Sequence, residues 1–216
     1  MAKLFDKQMA VVISSIILCF CLWYVMFATR PFNFWIMMSF STALLSCISF
    51  FFGWPLFHKS EISMKNILIG ILSALILYLI FVAGNKLMLK ISDFFPSLFH
   101  DRQENLAAIY GNRGSLSPWL VMILLVFPIG FGEEIYWRGF VQRYFTRKFN
   151  APAAFFVTTL FYVLVHVPIG NQVLIVAAIT CGLFWGMLYW ATGSIFPVLI
   201  SHMLWDPMIF VLFPVR

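Results

Sequence analysis

The sequence predicts an all-α fold: a polytopic membrane bundle of about seven transmembrane helices with one interfacial segment. Three observations carry that expectation. Of the 216 residues, 62% are hydrophobic and 10% charged, whereas charge alone makes up about a quarter of an ordinary soluble domain. Apolar runs of about 20 residues, the length that crosses a hydrocarbon core as a helix, recur along the whole chain. The remaining basic residues sit singly at the ends of those runs, where they act as topology signals and headgroup anchors. The net charge of +6 therefore does not point to nucleic acid, which would call for a clustered basic face. The expected surroundings are the lipid bilayer of a cell membrane, crossed several times.

The runs fall near residues 9–29, 34–53, 66–86, 118–146, 152–168, 172–191 and 194–213. Lys3 and Lys7 precede the first run as they would in a signal peptide. The run is too long for one and no small-x-small cleavage site follows, so it reads as a retained helix. Arg30-Pro31 closes it, Trp54-Pro55 closes the second, and the polar stretch His58 to Lys65 leads to the third. Residues 87–117 are the only long polar connection, with Asp93, His100, Asp101, Arg102, Glu104 and Arg113 among aromatic and aliphatic neighbours. That mixture suits an interfacial helix and loop. The chain thus reads as N-terminal helices and polar loop over 1–117 and a tightly connected bundle over 118–216, within one structural domain. A cytoplasmic N-terminus places Lys3, Lys7, Lys59, Lys65, Arg143, Arg147 and Lys148 inside, against Arg30, Lys86, Lys90, Arg102, Arg113 and Arg216 outside. The Arg143, Arg147, Lys148 cluster in a short loop decides for that orientation. The four cysteines, Cys19, Cys21, Cys47 and Cys181, lie in apolar runs and read as small buried hydrophobes.

Into this pattern the stretch Pro128 to Phe140 sets Glu133, Glu134 and Arg138. Ionisable groups at membrane depth are costly and face a bundle interior or a wet cavity. On a helix Glu134 and Arg138 are i and i+4, near enough to pair, while Glu133 lies about 100° around. One carboxylate can be neutralised while its neighbour stays free. His166 ends the next run, and His202 and Asp206, again i and i+4, lie in the last. Counted from Thr146, Ala151 and Ser194 at about 1.5 Å per residue, Glu133 lies roughly 20 Å deep, His166 roughly 22 Å, and His202 to Asp206 roughly 12–18 Å. Three helices bring their costly residues to one level. A pocket of carboxylates and imidazoles walled from lipid suits the addition of water to an amide carbonyl. A carboxylate or metal would activate the water, and a positive or hydrogen-bonding group would stabilise the oxyanion. A lone histidine in a span is more often a packing residue, and it is the concurrence with Glu133, Glu134 and Arg138 that argues for chemistry.

Together, Glu133-Glu134-Ile-Tyr-Trp-Arg138, the histidine ending the next run and His202-Met-Leu-Trp-Asp206 resemble three signature motifs of the CPBP family. These are the CAAX-protease and bacteriocin-processing (Abi) intramembrane proteases, and the resemblance covers about residues 118–210. It implies an all-helical membrane bundle with a catalytic cavity, cleaving a peptide or membrane-protein substrate that is membrane-associated or lipidated. Bacterial members are associated with peptide maturation, bacteriocin self-immunity or export. Carried over, Glu133 activates water, His166 is its partner or a metal ligand, and Glu134 and Arg138 support that motif. His202 and Asp206 take the positions of oxyanion stabilisation or metal coordination. Glu133, His166, His202 and Asp206 would make an acceptable set for zinc, without the His-Glu-x-x-His spacing; a metal-free glutamate mechanism uses the same side chains. Two positions depart from the family pattern: Tyr162 stands where phenylalanine is usual, and Asp206 where many members carry asparagine. An amide can donate to an oxyanion and an ionised aspartate cannot, so Asp206 must be protonated, orient His202 or ligate a cation. The same fold could also serve a catalytically silent scaffold or immunity protein. A proton-coupled transporter would use buried Glu and His as a relay, but the sequence shows no inverted repeat.

Glycines and prolines bracket these motifs. Gly130, Gly132 and Gly139, and the pair Gly182 and Gly186, read as points of close helix approach. Pro168 and Pro207 are expected to end or kink their helices beside the site. Trp54, Trp119 and Trp190 read as interfacial belt residues.

Overall fold

A computed structural model describes residues 2–55, 58–95, 101–112, 114 and 116–215, with side chains from residue 7 onward. Among the described residues there is no strand. Helix α1 runs from Ala2 to Tyr24 and continues as a π turn to Thr29, stopping at Arg30 in the left-handed region at φ 45°. Then come α2 (Phe34–Phe52), α3 (Met64–Phe94) and the short α4 (Arg102–Gly111). After these follow α5 (Pro118–Lys148), α6 (Ala151–Ile169, its last turn 3-10), α7 (Gln172–Thr192) and α8 (Phe196–Leu212, its last turn a π turn). The starts are written locally. Asn33, Ser63, Ser117, Asn150 and Asn171 each precede a helix and accept a backbone N–H of its first turn, satisfying donors that have no partner within the helix.

Six of these helices, α1, α2, α3, α5, α6 and α7, are long and apolar enough to cross a membrane; α8 is apolar but shorter. The protein is a multi-pass helical membrane bundle. Large apolar side chains such as Phe51, Leu79 and Trp119 are exposed on its outside, as they should be where lipid tails are the neighbours. Two expectations need correction. The third span does not stop near residue 86: Leu87, Leu89 and Ile91 extend α3 to Phe94, so only part of 87–117 is a connection, with α4 inside it. His100 and Arg113 lie outside the described residues. Of the cysteines, Cys19 and Cys181 are buried but Cys21 and Cys47 are exposed, because an apolar residue faces lipid as readily as core.

The bundle's closest seam joins α3 to α8, and a second joins α6 to α7. At the first, a Cβ on Gly70 would lie 2.6 Å from Ile200 Cβ and 2.9 Å from the Pro197 carbonyl; only glycine admits that approach. At the second, Gly182 and Gly186 face Thr159, Tyr162 and Phe155. Midway along α5 the helix is broken. Phe127 has φ −150° and ψ 120°, the extended conformation a following proline imposes, and Pro128 offers no N–H to continue the ladder. Irregular backbone at membrane depth is tolerated where it borders a cavity, and Leu125 and Ile129, on either side of the break, do border one.

Candidate active site

The site grows from α5. Glu134 and Arg138, one turn apart, are 0% and 1% exposed. Arg138 Nη1 donates to Glu134 Oε1 at 2.9 Å, and its Nη2 reaches the Cys181 and Gly182 carbonyls of α7 at 3.5 and 3.4 Å. The guanidinium lies 5.0 Å from the Tyr162 ring centre and 5.8 Å from that of Trp185, a cation–π cage that suits a buried arginine. From α8, His202 Nδ1 lies 2.7 Å from the same Glu134 Oε1, and its Nε2 lies 3.3 Å from Asp206 Oδ2. Trp185 stacks on the imidazole at 3.7 Å. With an ionised carboxylate at each nitrogen, the ring donates at both. Two carboxylates, one guanidinium and one imidazolium then sum to zero formal charge, the condition under which buried ions are tolerated. Asp206 lies against His202 Nε2, the contact that one of the three options left open by the sequence requires.

Glu133 stands outside this quartet. It is 4% exposed, and its one hydrogen bond comes from the Tyr162 hydroxyl, 3.3 Å from Oε2. Tyr162 also accepts, through its backbone carbonyl, from His166 Nδ1 at 2.7 Å. A carbonyl only accepts, so His166 carries its proton on Nδ1. Its Nε2 receives the indole N–H of Trp23 from α1 at 3.4 Å. No hydrogen bond joins His166 to Glu133. Glu133, His166, His202 and Asp206 nonetheless share the wall of one cavity of about 110 Å³. One water needs roughly 10–15 Å³ of such space, so several fit. Glu134 and Arg138 lie behind that wall. At Gly132, the residue before Glu133, α2 approaches closely enough that a Cβ would meet Ser46 Oγ at 2.9 Å, and Ser46 donates to the Gly132 carbonyl.

The zinc reading finds no support in the side-chain geometry. Among the described residues no group of three or more His, Cys, Asp or Glu is placed to hold a metal ion. A tetrahedral site built on two histidines needs a free nitrogen from each turned to a common centre. Here both nitrogens of His202 face carboxylates and both of His166 already have partners. The set does not fit zinc in this arrangement.

Several contributors were not singled out in the sequence. The Tyr162 hydroxyl had counted only as a conservative departure from phenylalanine. Trp23 and Phe27 of α1, both in ring contact with His166, and Trp35 of α2 on the cavity wall come from the N-terminal half. For Trp23 the available signal was a tryptophan well inside an apolar run, unlike Trp119, which is 73% exposed at the start of α5; Trp35, at the start of its run, carried no such signal.

Residues 115–208, a little under half of the chain, match the family model described as Rce1-like, type II CAAX prenyl endopeptidase Rce1-like. That match agrees with the resemblance to the CPBP, or CAAX-protease, family that the three motifs carry. The Rce1-like segment holds Glu133, Glu134, Arg138, His166, His202 and Asp206, and spans α5 to the greater part of α8. No curated protein and no solved structure matches the chain significantly. The match makes this segment similar to a family of CAAX-type endopeptidases.

Proposed function

We propose that the protein is a glutamate-type intramembrane endopeptidase that hydrolyses peptide bonds of membrane-associated or lipidated substrates, with Glu133 activating water. The observation that carries this reading is the split between the two adjacent glutamates. Glu134 is tied to Arg138 and His202, while Glu133 is left on the cavity wall with a single hydrogen bond. A general base must reach the water it deprotonates, and of the pair only Glu133 borders the space where water can stand. In the proposed step Glu133 takes a proton from water as the water oxygen bonds to the scissile carbonyl carbon. The same proton passes to the departing amine nitrogen when the C–N bond breaks. The His202 imidazolium, held by Glu134 and Asp206, supplies positive potential to the oxyanion in a low-dielectric setting. His166, held through Nδ1 by the Tyr162 carbonyl and through Nε2 by the Trp23 indole, fixes the part of the cavity wall it shares with Glu133.

A second cavity, of about 150 Å³ and mainly apolar, adjoins the first and shares Ile109, Leu174, Ala177, Trp205 and Phe210 with it. This apolar annexe favours a substrate carrying a lipid or a bulky apolar segment next to the cleaved bond. The basic end of the bundle is assigned to the cytoplasm. There Arg147 covers Trp54, Arg143 donates to the Pro55 carbonyl and Lys148 meets Met9, an excess of cations on one side that fits the positive-inside bias. The test is cleavage of a farnesylated CAAX peptide and of a peptide library by purified protein in proteoliposomes, with and without chelator. Wild type should cleave in both conditions and Glu133→Gln in neither. Activity unaffected by Glu133→Gln would end the reading.

A further inference from the structure

The two carboxylates that flank His202 grip its edge and leave one motion free. Glu134 Oε1 lies 2.7 Å from Nδ1 and Asp206 Oδ2 lies 3.3 Å from Nε2, so both contacts fall on the rim of the ring. A ring tied at two points of its rim can still rock about the line between them, and the second side-chain torsion of histidine is broad enough to allow it. The face must be held by something else. Trp185 does this from α7: its indole and the imidazole have centroids 3.7 Å apart and planes inclined by 20°. Indole is the best aromatic face for a cation, and the ring it covers carries a proton on each nitrogen.

Trp185 is itself fastened. It is 0% exposed, and its Nε1 donates at 3.1 Å to Oγ of Ser201, also 0% exposed. Ser201 immediately precedes His202, so the indole is tied to the same helix, α8, whose histidine it covers. Trp205 closes against the indole edge-on, with centroids 5.5 Å apart and an interplanar angle of 84°. The Arg138 guanidinium lies 5.8 Å from the same indole, so one ring attracts both cations of the quartet. Trp185 borders the cavity of Glu133, whereas Ser201 is not part of its wall.

We propose that Trp185 is a positioning residue for His202 and that Ser201 sets its plane. The stacked indole stops the imidazolium from rocking about the line between its carboxylates, and the Ser201 acceptor stops the indole from sliding off. This rests on the hydrolase reading and deepens it, since an oxyanion is stabilised by a cation already fixed beside it. Both residues act through His202 and not on the reacting atoms of the substrate.

The test uses full-length protein in detergent, and its first readout needs no substrate. The four histidines are told apart in proton NMR by single His→Gln exchanges. The His202 ring C–H protons, lying over an indole face, should resonate upfield of those of the exposed His58. Ser201→Ala leaves the indole N–H without an acceptor and should move them downfield. With a farnesylated CAAX peptide in proteoliposomes it should lower kcat about tenfold, the scale of one buried hydrogen bond left unmade, with KM near wild type. In a Trp185→Phe background, which has no N–H to satisfy, Ser201→Ala should lower kcat no further; such non-additivity marks residues that act as a pair. Unmoved His202 signals in Ser201→Ala, or the same tenfold loss with and without the indole N–H, would overturn the proposal. Unmoved signals in a protein whose cleavage depends on Glu133 reject this inference alone. Moved signals in a protein that cleaves nothing reject the hydrolase reading and leave Trp185 and Ser201 assigned. Unmoved signals without cleavage reject both.

Discussion

Two adjacent glutamates with different surroundings make opposite predictions when each is neutralised. Glu134→Gln removes the charge that Arg138 and His202 share and leaves two cations facing one carboxylate. Breaking such a buried arrangement costs about 3–5 kcal/mol, measurable as a lower unfolding midpoint in detergent. Glu133→Gln removes a buried charge with no cationic partner in hydrogen-bond contact, so the midpoint should hold or rise while cleavage is lost. Arg138→Lys should not restore an Arg138→Ala loss, since a single ammonium cannot serve a carboxylate and two α7 carbonyls with the guanidinium's fork. Tyr162→Phe keeps the ring over Arg138 and removes only the hydroxyl; about tenfold lower kcat at unchanged stability is expected, on the scale of one hydrogen bond to a charged group. The Glu134–Arg138 pair could be read from the sequence because i,i+4 spacing is a property of any helix. The His202 contact to Glu134 could not be, because it depends on how α8 lies against α5. Nor could the Tyr162 hydroxyl, whose partner is set by a neighbouring helix.

At the level of helices, α3 and α8 meet where Gly70 lets backbone approach side chain. Gly70→Leu should force α8, with His202 and Asp206, away from its seat. The expected destabilisation is about 1–3 kcal/mol, typical of overpacking, with activity falling further than stability because the imidazole is displaced from Glu134. Comparing melting and cleavage in one preparation checks this. Helix number and order were legible from apolar length; the caps at Asn33, Ser63, Ser117, Asn150 and Asn171 emerged with the structure. The end of α3 was not legible, since Lys86 and Lys90 mark a boundary on paper while a lysine stem can lie along a helix and carry its charge outward. The break at Pro128 was not singled out, although a proline inside an apolar run is its signal; the structure shows that the break borders the cavity.

The whole molecule is needed to close the cavity. Trp23 and Phe27 reach His166 from α1 and Trp35 joins from α2, so residues 118–216 produced alone should show neither cleavage nor a cooperative melt, and co-expression with 1–117 should restore both. The sequence, whose recognisable motifs all lie in the second half, gave no hint of this dependence, because aromatic wall residues carry no motif. The arrangement of charges also bears on biosynthesis. Glu134 and Arg138 share one helix and neutralise each other while α5 enters the bilayer, before any later helix exists. The histidine and aspartate that complete the quartet arrive on α8, which emerges from the ribosome after the other seven. On the proposed reading a nascent chain would therefore stay inert, safe beside the membrane proteins being inserted around it, until α8 docks.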